Sequence, residues 1–254
     1  MSRAGRYTLV FGVLLAASLL LNAALLWGLW DSFGKLQLVR IFPLGFVPLA
    51  QQPAARASMG PTLTFWGDSR AYLWDESGLD GLTILTQAHG GQTSSQLMLQ
   101  LASEQPSRTR YALVQTGIND LHPLGALHAQ KTTIVRTLEA NLRALPHRLL
   151  ERSDIVILTT IFPPSPVPLV RRPTWDAETL QLIDAANRTI RSLADGERVI
   201  VLDTHGLLRD EQGYLKAEFA DPDFFLHVNA QGYAVLNTAL LRLLSPEGEG
   251  PAVR

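Results

Sequence analysis

Between residues 61 and 203 the chain returns five times to a short apolar run: TLTFW (62–66), LTILTQ (82–87), YALVQT (111–116), DIVILTTIF (154–162) and RVIVLD (198–203). Such runs are too short for helices and rich in β-branched and aromatic residues, which suits strands covered on both faces. The stretches between them carry apolar residues at three- and four-residue steps, the spacing of amphipathic helices. Strand and helix alternating in this way predict a parallel sheet with helices packed on both sides.

The helices announce their ends. Thr93-Ser94-Ser95-Gln96 is a capping-box pattern that opens a helix after the second run. Ile134, Leu138, Leu142 and Leu145 form one buried stripe, expected to end at Pro146. Asp176 is placed to cap a helix carrying Leu180, Ile183, Ile190 and Leu193, stopped by Asp195-Gly196. Asn229 is placed to cap a last helix facing inward through Tyr233, Leu236, Leu240 and Leu244. About 190 residues belong to this pattern, enough to bury a core without disulfides.

A different kind of segment precedes it. Residues 7–30, YTLVFGVLLAASLLLNAALLWGLW, are interrupted by one polar residue, Asn22, and exceed the roughly 20 residues a helix needs to cross a bilayer core. A cleaved signal peptide has a shorter apolar core and a nearby small-x-small site, whereas the first convincing one, Ala55-Arg56-Ala57, lies far downstream. The expectation is an uncleaved transmembrane anchor (7–30) behind a short basic tail (1–6), followed by a membrane-proximal linker (31–60), the α/β domain (61–245) and a flexible C-terminal tail (246–254). A short tail with Arg3 and Arg6 most simply stays inside, which puts the domain outside the cytoplasm, in the periplasm or on the cell surface. The formal net charge of -1 offers no basic face, so nucleic acid is not an expected partner. There is no cysteine, which excludes disulfides, thiolate metal sites and cysteine nucleophiles.

In an open parallel sheet, ligands bind beyond the carboxyl ends of the strands. Ser69 follows the first run, Gly90-Gly91 the second, Gly117-Ile118-Asn119-Asp120 the third, and His227 follows the fifth, so all four fall on one rim. Each has an ordinary reading alone. Gly-Asp-Ser is turn vocabulary, Gly91 suits a turn before a cap, Asn119 suits a loop, and most histidines are simply satisfied surface residues.

In order, however, FWGDSR (65–70), AHGGQTSSQ (88–96), QTGINDL (115–121) and DPDFFLHVNAQGY (221–233) resemble the blocks of the SGNH, or GDSL-type, esterase and lipase family. The likeness covers residues 61–244 and is strongest to membrane-anchored bacterial members, which share something like TTIFPPSPVPLVRRPTW (159–175). It implies a flavodoxin-like three-layer α/β/α sandwich with a five-stranded parallel sheet. It also implies Ser69 as nucleophile, with the Ser69 and Gly91 N–H groups and the Asn119 amide as oxyanion donors. Serine needs a base to take its proton, and His227 is the candidate. The usual GDSL reads GDSR here; Arg70 is expected to leave the chemistry unchanged. The family's triad aspartate stands three residues before the histidine, where this chain has Phe224. Asp223, four before, is favoured over Asp221, which is followed by Pro222, because positions four apart on a helix-like turn share a face.

His122, Arg171 and Trp175 are candidate substrate contacts, and the proline-rich stretch at 163–173 is a candidate roof. Neither cofactor nor metal is expected. The resulting expectation is a membrane-anchored serine esterase acting through an acyl-enzyme on an ester-bearing small molecule, lipid or envelope glycan, with short acyl or acetyl groups preferred. Acyl transfer with the same triad, lysophospholipase activity and a non-enzymatic envelope-binding module are the alternatives.

Overall fold

A computed structural model describes residues 3–41, 60–103 and 108–245. Two compact units divide the chain, residues 1–47 and 48–254. In the first, helix α1 (Arg3–Ile41) exposes its leucines, valines and aromatics along the whole apolar segment. It is long and apolar enough to cross a membrane, a property that anchors and signal sequences share. The linker expected over 31–60 is helical up to Ile41; its remainder, 42–59, and the tail at 246–254 lie outside the described residues.

In the second unit the five apolar runs are five parallel strands: β1 (Thr62–Gly67), β2 (Thr83–Thr86), β3 (Thr109–Gln115), β4 (Ser153–Thr159) and β5 (Val199–Leu202). Their spatial order is β2-β1-β3-β4-β5, the flavodoxin-like arrangement, with the direction of winding reversing between β1 and β3.

Side chains alternate across the sheet, and neighbours in β1 therefore serve different cores. Trp66 joins the core that contains Leu97 of α3 (Ser94–Ser103), Leu138, Leu142, Leu145 and Leu149 of α5 (Lys131–Leu150), and Ile183 and Ile190 of α6 (Thr179–Ser192). Phe65 faces the other layer, with Leu208 of α7 (Thr204–Leu208) and Tyr233, Leu236 and Leu240 of α8 (Ala230–Leu244). Two single turns, α2 (Ser69–Tyr72) and α4 (Ile118–Leu121), begin just beyond β1 and β3.

The capping box forms as read: Thr93 N–H donates to Gln96 Oε1 at 3.0 Å and Gln96 N–H to Thr93 Oγ1 at 3.3 Å. Asn229 caps α8 by accepting from Gly232 N–H at 3.0 Å. Asp176 acts two residues early, accepting from Glu178 N–H at 2.8 Å, while Glu178 is the N-cap of α6. Pro146 does not end α5, which runs on to Leu150. Proline forgoes one backbone bond there, but Leu145, Pro146 and Leu149 are all buried, and that burial outweighs the local loss.

Candidate active site

The turn after β1 is fixed by its neighbour. Gly67 pairs with Gln115 of β3 and adopts φ +117°; a Cβ there would lie 1.7 Å from the Gln115 carbonyl oxygen. Only glycine lets the two strands end this close. Asp68 then caps α2, its Oδ1 accepting from Arg70 N–H at 2.9 Å, and the chain turns so that Ser69 heads the helix, part-exposed at the rim. Beside it the ladder between β1 and β2 continues beyond the strand: Gln87 N–H donates to Phe65 O and His89 N–H to Gly67 O, each at 2.8 Å. That carries Gly91, with φ +75°, to the same corner.

The third block joins through its own polar groups. Asn119 Nδ2 donates to Gln92 O at 3.0 Å, next to Gly91, and Asp120 accepts from Ser94 N–H at 2.9 Å and Ser94 Oγ at 2.7 Å. Asp120 therefore holds α4 against the start of α3, and its burial raises its pKa. Among the described residues neither Ser69 N–H nor Gly91 N–H has an acceptor.

His227 comes from the far end of the domain. Its Nε2 lies 3.0 Å from Ser69 Oγ, within range to receive the hydroxyl proton. The segment around it is a short closed loop. Ala220 and Val228 form an antiparallel bridge, Asp221 N–H donates to His227 O at 3.2 Å, and His227 N–H donates to Phe224 O at 2.8 Å. Burial lowers the His227 pKa, the Arg70 charge lowers it further, and Asp221 pulls it back up.

The seven residues DPDFFLH are arranged by an Asx turn rather than a helical one. Asp221 Oδ1 accepts from Asp223 N–H at 2.8 Å and Phe224 N–H at 3.0 Å. Asp223 is exposed, and among the described residues no carboxylate is hydrogen-bonded to His227 Nδ1. Phe224, 60% exposed, lies against the imidazole with ring centroids 5.2 Å apart.

The proline-rich stretch between β4 and α6 forms a 3-10 turn at Leu169–Thr174 and packs beside the third block, where a Cβ on Gly125 would come within 2.4 Å of the Thr174 backbone. Ser165 N–H donates to Phe225 O at 2.8 Å, and Trp175 meets the Phe225 ring edge-on at 5.8 Å. Arg171 and Trp175 thus belong to a strap pinned to the histidine loop. His122 is largely buried, and its pKa is lowered by that burial and then by the Arg171 charge. The other histidines have structural neighbours: His128 lies 3.5 Å from Asp176, His147 3.5 Å from Glu151, and His205 Nδ1 3.1 Å from Ile161 O.

From sequence, Arg70 is expected to leave the chemistry unchanged and is given no role in the site; the structure ties it to the backbone beside His227. It is fully buried, donating from Nε to Leu226 O at 2.6 Å and from Nη1 to Phe162 O at 2.9 Å. The signal was present: an arginine between Trp66, Ala71 and Trp74 stands where an inward-facing apolar residue is due. Burial pushes Asp68 up to about 7 and Arg70 down to about 10, so Arg70 is charged at neutral pH.

Fold and rim together define an α/β/α hydrolase. The chain belongs to the GDSL-like lipase/acylhydrolase family, whose profile matches residues 60–235, and it is an ester hydrolase. No match was found among curated proteins. Similar solved structures include a protein provisionally described as a platelet activating factor from Streptococcus pneumonia, 20% identical with a TM-score of 0.61, covering 88% of this chain and 98% of that one. A GDSL-like lipase from Bacteroides thetaiotaomicron is 18% identical with a TM-score of 0.55, covering 72% and 86%. The acetylxylan esterase Axe2 from Geobacillus stearothermophilus is 19% identical with a TM-score of 0.55, covering 75% and 96%. At these identities the likeness is one of fold.

Proposed function

We propose that the protein is a membrane-anchored serine esterase that removes short acyl or acetyl groups from envelope glycans or lipids. The observation that carries this reading is the hydrogen bond between Ser69 Oγ and His227 Nε2 at the sheet rim. Ser69 attacks the ester carbonyl while His227 takes its proton; His227 returns that proton to the departing alcohol, leaving an acyl-enzyme. Water, activated by the same imidazole, releases the acid and restores the serine. The unpartnered N–H groups of Ser69 and Gly91 and the second amide hydrogen of Asn119 serve the developing oxyanion; one such donor is typically worth about 3 to 4 kcal/mol in the transition state.

Two carboxylates are candidates to orient the imidazole. Asp223 has the nearer sequence spacing. Asp221 is supported by its charge acting on His227 and by its place across the loop's base from it, and we assign it the role. His122, Arg171 and Trp175 are the substrate contacts in this reading, supported by Trp175 packing on Phe225 and the Arg171 charge acting on His122. Short connections after β1, β2 and β3, without a long apolar lid, support small acyl groups, and the acetylxylan specificity carried by one fold neighbour is of that kind. The apolar helix supports anchoring, and Arg3 and Arg6 ahead of it support a domain outside the cytoplasm.

The test is hydrolysis of p-nitrophenyl esters of rising acyl length by the detergent-solubilised full chain. Acetate and butyrate should be cleaved best, and Ser69→Ala should lower kcat by roughly 10⁵-fold or more. A preference for chains of about twelve carbons or more would replace this reading with a lysophospholipase.

A further inference from the structure

We propose that Arg70 is a positioning residue for the Ser69–His227 pair, clamping the backbone that carries His227 to the turn that carries Ser69. The inference rests on the esterase reading only for its kinetic arm. Arg70 directly follows Ser69, so two adjacent residues address one histidine: the serine side chain meets the imidazole, and the arginine side chain meets the peptide at its root.

That peptide is the unit joining Leu226 to His227. Its carbonyl accepts from Arg70 Nε at 2.6 Å and its N–H donates to Phe224 O at 2.8 Å. A peptide unit is planar, so holding both edges fixes where the His227 Cα–Cβ bond starts and limits where Nε2 can reach. The guanidinium is itself immobile. Nη1 is bound to Phe162 O at 2.9 Å, the group lies 5.3 Å from the centre of the Phe162 ring, and the Arg70 carbonyl accepts from Tyr233 Oη at 2.8 Å. One side chain therefore ties together the segments that follow β1 and β4 and the one that precedes α8. A leucine at this position could fill the volume but bind neither carbonyl.

The guanidinium also sets the electrostatics of the base. The charged groups acting on the imidazole are Arg70 from α2 and Asp221 from its own loop; Asp68 lies beside Arg70. A cation facing His227 disfavours imidazolium, so the base stays neutral, and able to accept the serine proton, to lower pH.

The experiment compares Arg70→Met, which keeps length without donors or charge, with Arg70→Lys, which keeps the charge but not the fork. With p-nitrophenyl acetate, Arg70→Met should lower kcat by about 10- to 100-fold with KM within about threefold, as expected for a misplaced base. The acid limb of its kcat/KM profile should move to higher pH. Arg70→Lys should also lose kcat but keep the acid limb near that of the parent. Independently of turnover, NMR titration of His227 in the full chain in detergent should show a higher pKa in Arg70→Met than in the parent. A folded Arg70→Met with parental kcat and an unmoved His227 titration overturns the proposal. If Arg70→Met does not fold, Arg70→Lys decides it: reduced kcat at parental KM supports the clamp, and parental kcat overturns it. Failure of the esterase reading is recognised separately, because then the parent itself neither turns over esters nor reacts at Ser69 with a fluorophosphonate.

Discussion

At the scale of single residues the histidine loop is where spacing and geometry part company. Asp223 stands at a spacing that a helical turn would place beside His227, but the Asx turn built on Asp221 turns Asp223 outward. An Asp-Pro-Asp sequence allows either course, and the choice depends on the bridge between Ala220 and Val228, which no local pattern announces. Arg70 showed its oddity locally, a charge at an inward-facing position, but not its partner, since the acceptor Leu226 O lies 156 residues away. That Ser69 and His227 would meet was legible because their blocks come in a recognisable order, one directly after β1 and the other directly before α8. The assignment of Asp221 makes a signed prediction. Its charge raises the His227 pKa, so Asp221→Asn should move the acid limb of kcat/KM to lower pH while reducing kcat by about 10² to 10⁴-fold. Asp223→Asn should stay within about threefold at every pH. The opposite ranking, read from initial rates on p-nitrophenyl acetate across the acid limb, returns the role to Asp223.

At the scale of elements, what could be read was whatever is periodic or capped. The five strands stood out because β-branched and aromatic residues cluster in runs bounded by turns, and the capping box at Thr93 was found because its two bonds are local. The end of α5 was misread because a proline's local cost was weighed without the buried Leu149 beyond it. Asn229 shows how an element and a site share one residue. It caps α8 two positions after His227, and its Nδ2 also donates to Glu218 O at 2.8 Å and Ala220 O at 3.2 Å, closing the base of the histidine loop. Asn229→Ala should cost about 1 to 2 kcal/mol, lowering Tm by about 2 to 8 °C in thermal unfolding followed by circular dichroism. Asn229→Asp keeps the cap acceptor and loses both donors. It should recover most of the stability while leaving esterase kcat below that of the parent. Equal stability losses for Ala and Asp would mean that the cap is the smaller of the two roles.

At the scale of the whole molecule the alternation of strand and helix follows from the apolar runs, and the flavodoxin-like arrangement from the family resemblance, but the course of the strap between β4 and α6 follows from neither. Its prolines and arginines read equally as connector or roof, and it is the Ser165–Phe225 and Trp175–Phe225 contacts that tie it to the histidine loop. The N-terminal unit raises the matching question for the chain as a whole. By length and composition its helix can span a bilayer, and the stretch from 42 to 59, about 18 residues, could extend at most roughly 65 Å. In the anchored reading proposed above, such a lead directs the esterase to substrates of the membrane surface and its immediate surroundings. Which surface that is turns on charge: Arg3 and Arg6 precede the apolar segment, while Lys35 and Arg40 follow it. With the domain outside the cytoplasm, alkaline phosphatase fused to the carboxyl terminus should be active and a cytoplasmic fluorescent protein at the same place dark. Adding two lysines directly after Trp30 should weaken that pattern by opposing Arg3 and Arg6. A dark phosphatase with a bright fluorescent fusion in the parent sequence would invert the orientation, and the search for substrates would then move to acylated molecules on the inner face.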